Sequence, residues 1–304
     1  MKYILGIDEN GLGFTNQSMI GPLIVTATGF EIEGDIFPLN PPFVFENKIL
    51  VCDSKDLFKR ASVKSYITGE ITSICFLSIL KKNDTIKNFD NDIFNKFNIN
   101  NPPCKLRKSM CFFKYPLNLP LWSNSFPQEL IKSLEVYLAE KNIKFIYCKF
   151  AVLCPYVLYK KNKYTIETIA IGRIIKDWLN KIKNKNNRIL VGNIRNYTKK
   201  KIEKCWKENN LLFDTNNVEF IKKGDKTEFP ISLSSIIGKY IREIFIKRIN
   251  EYFYQYDNTI PFCAGYRQNQ TFDIFIEKVK TICKQNNISL SCLVRDYIYD
   301  SIKR

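Results

Sequence analysis

The chain has 304 residues, 45% of them hydrophobic, so it is long enough for one large domain with a real core, or for one domain and an appendage. Its formal net charge is +17 and it contains no histidine at all, which excludes Ser-His and Cys-His catalysis, His–zinc sites and His general bases. Ten cysteines without any Cys-x-x-Cys pattern argue against zinc knuckles and for reduced thiols. Any chemistry must therefore rest on carboxylates, Lys, Tyr or Cys. The surplus of basic residues fits a polyanionic partner such as nucleic acid, or else the Lys/Asn bias of an AT-rich genome.

In chain order, Met1–Asp8 reads as a strand with no signal-peptide architecture. No apolar run approaches the roughly 20 residues of a membrane helix, so the expectation is a cytoplasmic protein with no membrane partner. A Gly-rich loop follows, then a strand from Ile20 to Phe30 and a short strand at Lys48–Cys52. Asp53-Ser54 caps a helix expected over about Asp56–Gly69. Residues 81 to about 128 are Asn-rich and then Pro-punctuated, and read as an excursion outside the core. Order is expected to return with a helix near 128–142, a strand at Lys144–Ala151, a helix from about Thr165 to Ile182, a strand at Arg188–Val191 and a long helix from Phe229 to about Phe253. A loop at Pro261–Gln270 and C-terminal helices complete the chain. This order predicts an α/β layered fold with one mixed sheet.

Two acids, Asp8 and Glu9, end the first strand and run straight into glycines. Adjacent strand residues point to opposite faces, so the pair can converge only where the strand ends. In the long late helix, Ser235, Lys239 and Glu243 recur at steps of four and form one narrow polar stripe on a helix that is otherwise apolar nearly all round. Such a stripe is either a surface Lys–Glu pair or the lining of a cleft.

Together these segments resemble the type 2 ribonucleases H. Gly6-Ile7-Asp8-Glu9-Asn10-Gly11-Leu12-Gly13 and Gly21-Pro22 are similar to the opening of that family, Asp53-Ser54-Lys55-Asp56-Leu57 to its Asp-Ser-Lys-x-Leu, and Lys223-Gly224-Asp225 with Ser234-Ser235-Ile236-Ile237-Gly238-Lys239-Tyr240-Ile241-Arg242-Glu243 to its late Lys-Gly-Asp and Ala-Ser-Ile-Ile-Ala-Lys-x-x-Arg-Asp. Ala264-Gly265-Tyr266-Arg267 with Thr271 is similar to its Ser-Gly-Tyr-Pro…Thr loop. The five motifs keep the family's order across residues 6–271, and the stretch 81–140 lies outside the match.

The resemblance implies a ribonuclease H-like mixed sheet flanked by helices over residues 1–253, with an insertion at about 81–140, and a C-terminal helical region over 254–304 that completes a substrate groove. It implies an endonuclease that cuts the RNA strand of RNA–DNA hybrids, or at ribonucleotides in duplex DNA, with two Mg²⁺ or Mn²⁺ ions. Asp8, Glu9 and Glu243 would be the metal-binding acids. Gly11 and Gly13 would sense the ribose 2′-OH through backbone groups. Lys55, Ser235 and Lys239 would touch phosphates, and Tyr266 would stack on the sugar beside the RNA–DNA junction. Four departures cluster near the chemistry: Gly192-Asn193 where the family has an acid after a strand, Glu243 in place of Asp, Leu12 in place of Arg, and extra length over Phe14–Met19. Two readings stay open: a nuclease whose site is completed by Asn193 or a nearby acid, or a nucleic-acid-binding homologue with impaired cleavage.

Overall fold

The structure, a computed structural model, describes residues 1–12, 19–34, 36–59, 61–82, 85–99, 115–160, 162–183, 186–194, 197–265 and 270–295. Its elements run β1 (Lys2–Asn10), β2 (Met19–Ile20), β3 (Leu23–Ile32), β4 (Phe43–Phe45), β5 (Ile49–Val51), α1 (Ser54–Leu57) and α2 (Val63–Leu80). A π-helical turn, Phe89–Phe94, leads into α3 (Asn95–Phe97), followed by α4 (Gln128–Glu140), β6 (Ile143–Leu153), α5 (Pro155–Lys160), α6 (Lys163–Ile182) and β7 (Asn187–Gly192). The chain continues with α7 (Lys199–Glu208), β8 (Val218–Ile221), α8 (Gly224–Thr227), α9 (Phe229–Tyr254), α10 (Gln270–Gln285) and β9 (Val294–Arg295).

The central sheet has five strands in the order β6-β3-β1-β7-β8. β1 is antiparallel to β3, with Asp8 opposite Thr26, and parallel to β7, with Ile7 opposite Val191. The α/β layered fold with one mixed sheet is therefore as the sequence implies. Alternation along β1 sorts its side chains between two cores. Ile4 joins Ile24, Phe30 and the apolar side of α9, while Leu5 and Ile7 join Val25, Ala27, Val191 and α6 on the other face.

α9 is buried over 22 of its 26 residues, so it is a central element, not a surface helix. Its close approach to the sheet depends on missing side chains: a Cβ on Gly6 would lie 2.2 Å from the Pro230 carbonyl carbon, and one on Gly238 would meet Asn10 and Thr26 at 2.7 Å. Ser234 secures the contact by donating to the Gly6 carbonyl at 2.8 Å.

Three local expectations are revised. The helix expected over Asp56–Gly69 is two helices: Asp53 caps α1 through the Lys55 amide and Ser62 caps a fresh start at α2, which runs on to Leu80. The short strand near residue 50 pairs with β4 as a separate hairpin instead of joining the central sheet. The segment expected to stay outside the core contributes to it. Ile86, Phe89, Ile93, Phe94, Phe97, Leu117 and Leu119 are buried in the main cluster, and Arg248 of α9 reaches Asp90 in a two-pronged ion pair. Those apolar residues are spaced irregularly among Asn and Lys, so no period announces them.

α2 is as long and apolar as a minimal membrane span. It packs against α9, α4 and β6, and Glu70, sealed within it, accepts backbone N–H bonds from Leu121, Trp122 and Ser123 at 2.6–2.8 Å and the Tyr240 hydroxyl at 3.2 Å.

Candidate functional site

The parallel strands β1 and β7 end together, and the chain leaves β8 through a tight turn into α8, which lies against β7. Strand ends of this kind leave a crevice beside the sheet, the usual place for ligands in open α/β layers. Asp8 and Glu9 stand at this end and are half-buried. Alternation puts Asp8 on the α9 side and Glu9 on the α6 side, so the two carboxylates straddle the strand terminus.

On the α9 side, Ser235 stands near the Asp8 carboxylate and favours its charged form, and its hydroxyl donates to Ser54 Oγ at 3.0 Å. Asn10 donates to the Ser235 carbonyl at 3.0 Å. Burial, then Glu9, and at longer range Asp225, raise the Asp8 pKa well above the carboxylate range, against the pull of Ser235. Asp225 is itself raised, by burial and by Asp53. Asp53 in turn pairs with Lys226 at 3.2 Å.

On the α6 side, Glu9 Oε2 accepts the Leu12 amide at 3.3 Å. Burial raises its pKa, opposed by that bond and by Arg295, Lys55 and Lys163. Facing it is Glu167 of α6, 1% exposed. Its pKa is raised well above the ordinary range by burial, then by Glu9 and Asp8, with Lys163 opposing. Its Oε2 atom has no hydrogen-bond partner.

The loop leaving β1 is fastened by cations. Lys163 Nζ donates to the Leu12 carbonyl at 3.4 Å, and Arg295 of β9 donates to the carbonyls of both Gly11 and Leu12. Gly11 has a left-handed φ of 99°, and a Cβ there would lie 2.5 Å from Arg242 Nε, so both backbone and space require glycine.

The residues singled out from the sequence are thus placed as follows. Asp8, Glu9, Gly11 and Ser235 come together at the strand end. Ser235 is buried and serves Asp8 from within. Lys55 is exposed nearby, and its backbone takes part in the α1 cap. The stripe of Ser235, Lys239 and Glu243 lies on α9 as expected, and its lower half is an ion pair: Lys239 Nζ is 3.0 Å from Glu243 Oε1, and Tyr66 donates to Glu243 Oε2 at 3.2 Å. Asp225 is a further late acid whose charge bears on Asp8. Asp225 stood in a motif already noticed. Glu167 carried no sequence signal beyond being an acid within an apolar helical pattern. Gly13 and Tyr266 lie outside the described residues.

Gly192 is the β7 residue that meets Asp8. A Cβ built on it would lie 2.6 Å from Asp8 Oδ1. Asn193 is exposed, with its backbone N–H bonded to the Ile221 carbonyl at 3.2 Å.

The donors gathered here are all carboxylate oxygens, the chemistry that holds Mg²⁺ or Mn²⁺. Crowded acids with raised pKa values and a buried oxygen without a partner fit a cation that would offset their repulsion. In their present rotamers no three His, Cys, Asp or Glu side chains among the described residues close into a coordination sphere, so cation binding entails carboxylate rotation.

No protein-family model and no curated protein matches the chain. Among solved structures it is similar to Bst-RNase HIII in complex with Mn²⁺, with TM-score 0.48 and 10% identity over 96% of this chain and 66% of that one. It is similar to RNase HII of Archaeoglobus fulgidus, solved with PCNA (TM-score 0.41, 16% identity, covering 95% of this chain and 92% of that one). It is similar also to ribonuclease H2 from Pyrococcus horikoshii OT3 (TM-score 0.42, 14% identity, 96% and 92%). The chain spans just under two thirds of the length of the first of these. At these values the likeness is one of outline, and the chemistry has to be read from this chain's own side chains.

Proposed function

We propose that the chain is a metal-dependent endonuclease of ribonuclease H type, acting on the RNA strand of RNA–DNA hybrids or at ribonucleotides in duplex DNA. The observation that carries this reading is the crowding of Asp8 and Glu9 at the end of β1, with the charge of Asp225 from α8 acting on Asp8, in a protein of net charge +17. Glu243 keeps the metal-binding role that the resemblance implies, and Asp225 is a further acid near the strand end. Divalent cations, when bound, supply an activated water and a counter-charge for the leaving oxygen. Asp8 and Glu9 would hold the cations from the two faces of the strand, with Ser235 beside Asp8 favouring its charged form. Gly11 and Gly13 would read a ribose 2′-OH through backbone groups, as the resemblance implies. Lys55 faces solvent beside the cleft, suited to a phosphate, and Lys239 reaches a phosphate by exchanging it for Glu243. Tyr266 would stack on the sugar beside the RNA–DNA junction, as the resemblance implies, and the C-terminal helical region would close that side of the groove.

One observation favours the second reading, a binding homologue with impaired cleavage: β7 ends at Gly192 with no carboxylate. The deciding experiment is a single-turnover assay of wild type and Asp8→Asn on a duplex carrying one ribonucleotide, with Mg²⁺ or Mn²⁺, alongside a retention assay. Cleavage that is lost in Asp8→Asn supports the enzyme. Retention without cleavage supports the homologue. A protein that neither cleaves nor retains the duplex refutes both.

A further inference from the structure

Glu167 has no role in the sequence resemblance and no evident structural one. It lies one helical turn beyond Lys163, whose ammonium is turned to the Leu12 carbonyl, so the first turns of α6 run beneath the loop that leaves β1. There the side chain is 1% exposed. One of its carboxylate oxygens has no partner, an arrangement that proteins rarely keep unless something else satisfies the atom. The charges acting on it are Glu9 and Asp8, which repel it, and Lys163, which attracts it. A carboxylate kept purely for packing would be better as Gln or Leu in this position.

β7 supplies no acid of its own: Gly192 has no side chain, and Asp8 Oδ1 lies 2.6 Å from where a Cβ on residue 192 would stand. Resting on the metal-dependent reading above, the geometry points to Glu167 as the carboxylate that replaces the missing strand-borne acid, approaching Glu9 from the α6 face and completing the oxygen set for a divalent cation. The site is then two pairs across one strand end, with Asp8 and Asp225 on one face of the sheet and Glu9 and Glu167 on the other.

The probe is Mn²⁺, measured by electron paramagnetic resonance of the free ion and by the metal-induced rise in the thermal midpoint, on the full chain as wild type, Glu167→Gln, Glu167→Asp, Lys163→Met and Asp8→Asn. Glu167→Gln is expected to keep or raise the metal-free midpoint, since a buried negative charge is removed, and to weaken Mn²⁺ at least tenfold, which is about 1.4 kcal/mol. Glu167→Asp, which keeps the charge, is expected to recover part of that loss and serves if the Gln variant folds poorly. If Glu167 is only the ion-pair partner of Lys163, then Glu167→Gln and Lys163→Met will lower the metal-free midpoint alike and Glu167→Gln will bind Mn²⁺ as wild type does. That pattern, with binding still lost in Asp8→Asn, overturns the inference and leaves the metal site standing. If wild type itself does not bind Mn²⁺, both fall together.

Discussion

Replacing Gly192 by Asp would restore an acid at the end of β7, and the structure makes the consequence calculable. The glycine does not have a left-handed φ, so its backbone accepts a side chain; the obstacle is Asp8 Oδ1, 2.6 Å from the new Cβ. Turning the Asp8 carboxylate aside costs about 0.5–1.5 kcal/mol if it leaves its rotamer. Two ionised carboxylates about 4 Å apart repel by about 4 kcal/mol at an effective dielectric near 20. The Asp8 pKa is already raised by burial and by Glu9, so part of that repulsion is relieved by proton uptake and about 2–4 kcal/mol remains at pH 8. For a chain of this size that is a drop of roughly 4–8 °C in thermal midpoint. The isosteric Gly192→Asn variant carries the steric cost without the charge. In EDTA at pH 8, Gly192→Asp should therefore melt below Gly192→Asn. In millimolar Mn²⁺ the order should invert, because a ligand held by the native state stabilises it by mass action. Scanning fluorimetry of both variants decides the matter. Equal midpoints in EDTA would show that residue 192 and Asp8 do not share an electrostatic site, and the account of a β7 position emptied in favour of another acid would fail.

Other outcomes follow from the same structure. Burial raises the pKa values of Asp8, Glu9 and Glu167, reinforced by repulsion from neighbouring acids at Asp8 and Glu167; groups raised on folding contribute stability that is fully present below the unfolded value, near 4, and lost as pH climbs through the folded one. The metal-free midpoint should thus fall between about pH 4.5 and 8 and flatten with Mn²⁺, whereas a midpoint that climbs throughout that window contradicts the clustering. Glu70→Ala strips the acceptor from three backbone amides and the Tyr240 hydroxyl, and should cost about 3–5 kcal/mol in urea unfolding, with faster amide exchange at residues 121–123; a loss under about 1 kcal/mol would mean the segment is held elsewhere. Binding to an RNA–DNA hybrid should weaken steeply with salt, and Lys55→Ala should reduce the log–log slope by about one phosphate's worth; an unchanged slope would remove Lys55 from the interface.

The strands and long helices were legible because their periods are strong. α6 and α9 fall within a few residues of their expected ends, and the acids of β1 stand at the strand terminus where alternation requires them. Three things were hidden. That Asp225 acts on Asp8 depends on how α8 lies against β7, and the step-of-four stripe on α9 says only that Glu243 shares a face with Lys239. Glu167 is one polar residue within an apolar helix, indistinguishable in sequence from a surface acid until the helix is laid against β1. The buried apolar residues between 86 and 97, with Leu117 and Leu119, read as linker because they follow neither period. Their burial depends on partners such as Phe245 and Arg248, more than a hundred residues away.

The fastening of the β1 loop by Arg295 has a consequence for how the protein is made. Its partners, Gly11 and Leu12, are separated from it by 284 and 283 positions in the chain, and β9 also supplies the strand that pairs with Met19 and Ile20. At translation speeds of about 5–20 residues per second, roughly 15–60 s separate synthesis of the loop from synthesis of its clasp. Throughout that interval the first acids of the chain exist without the second of the two cations that pin the loop beside them. A nascent chain therefore lacks a finished cleft until Arg295 has been synthesised, and a ribosome that stalls short of Val294 leaves a product with its sheet residues in hand and its loop held by Lys163 alone.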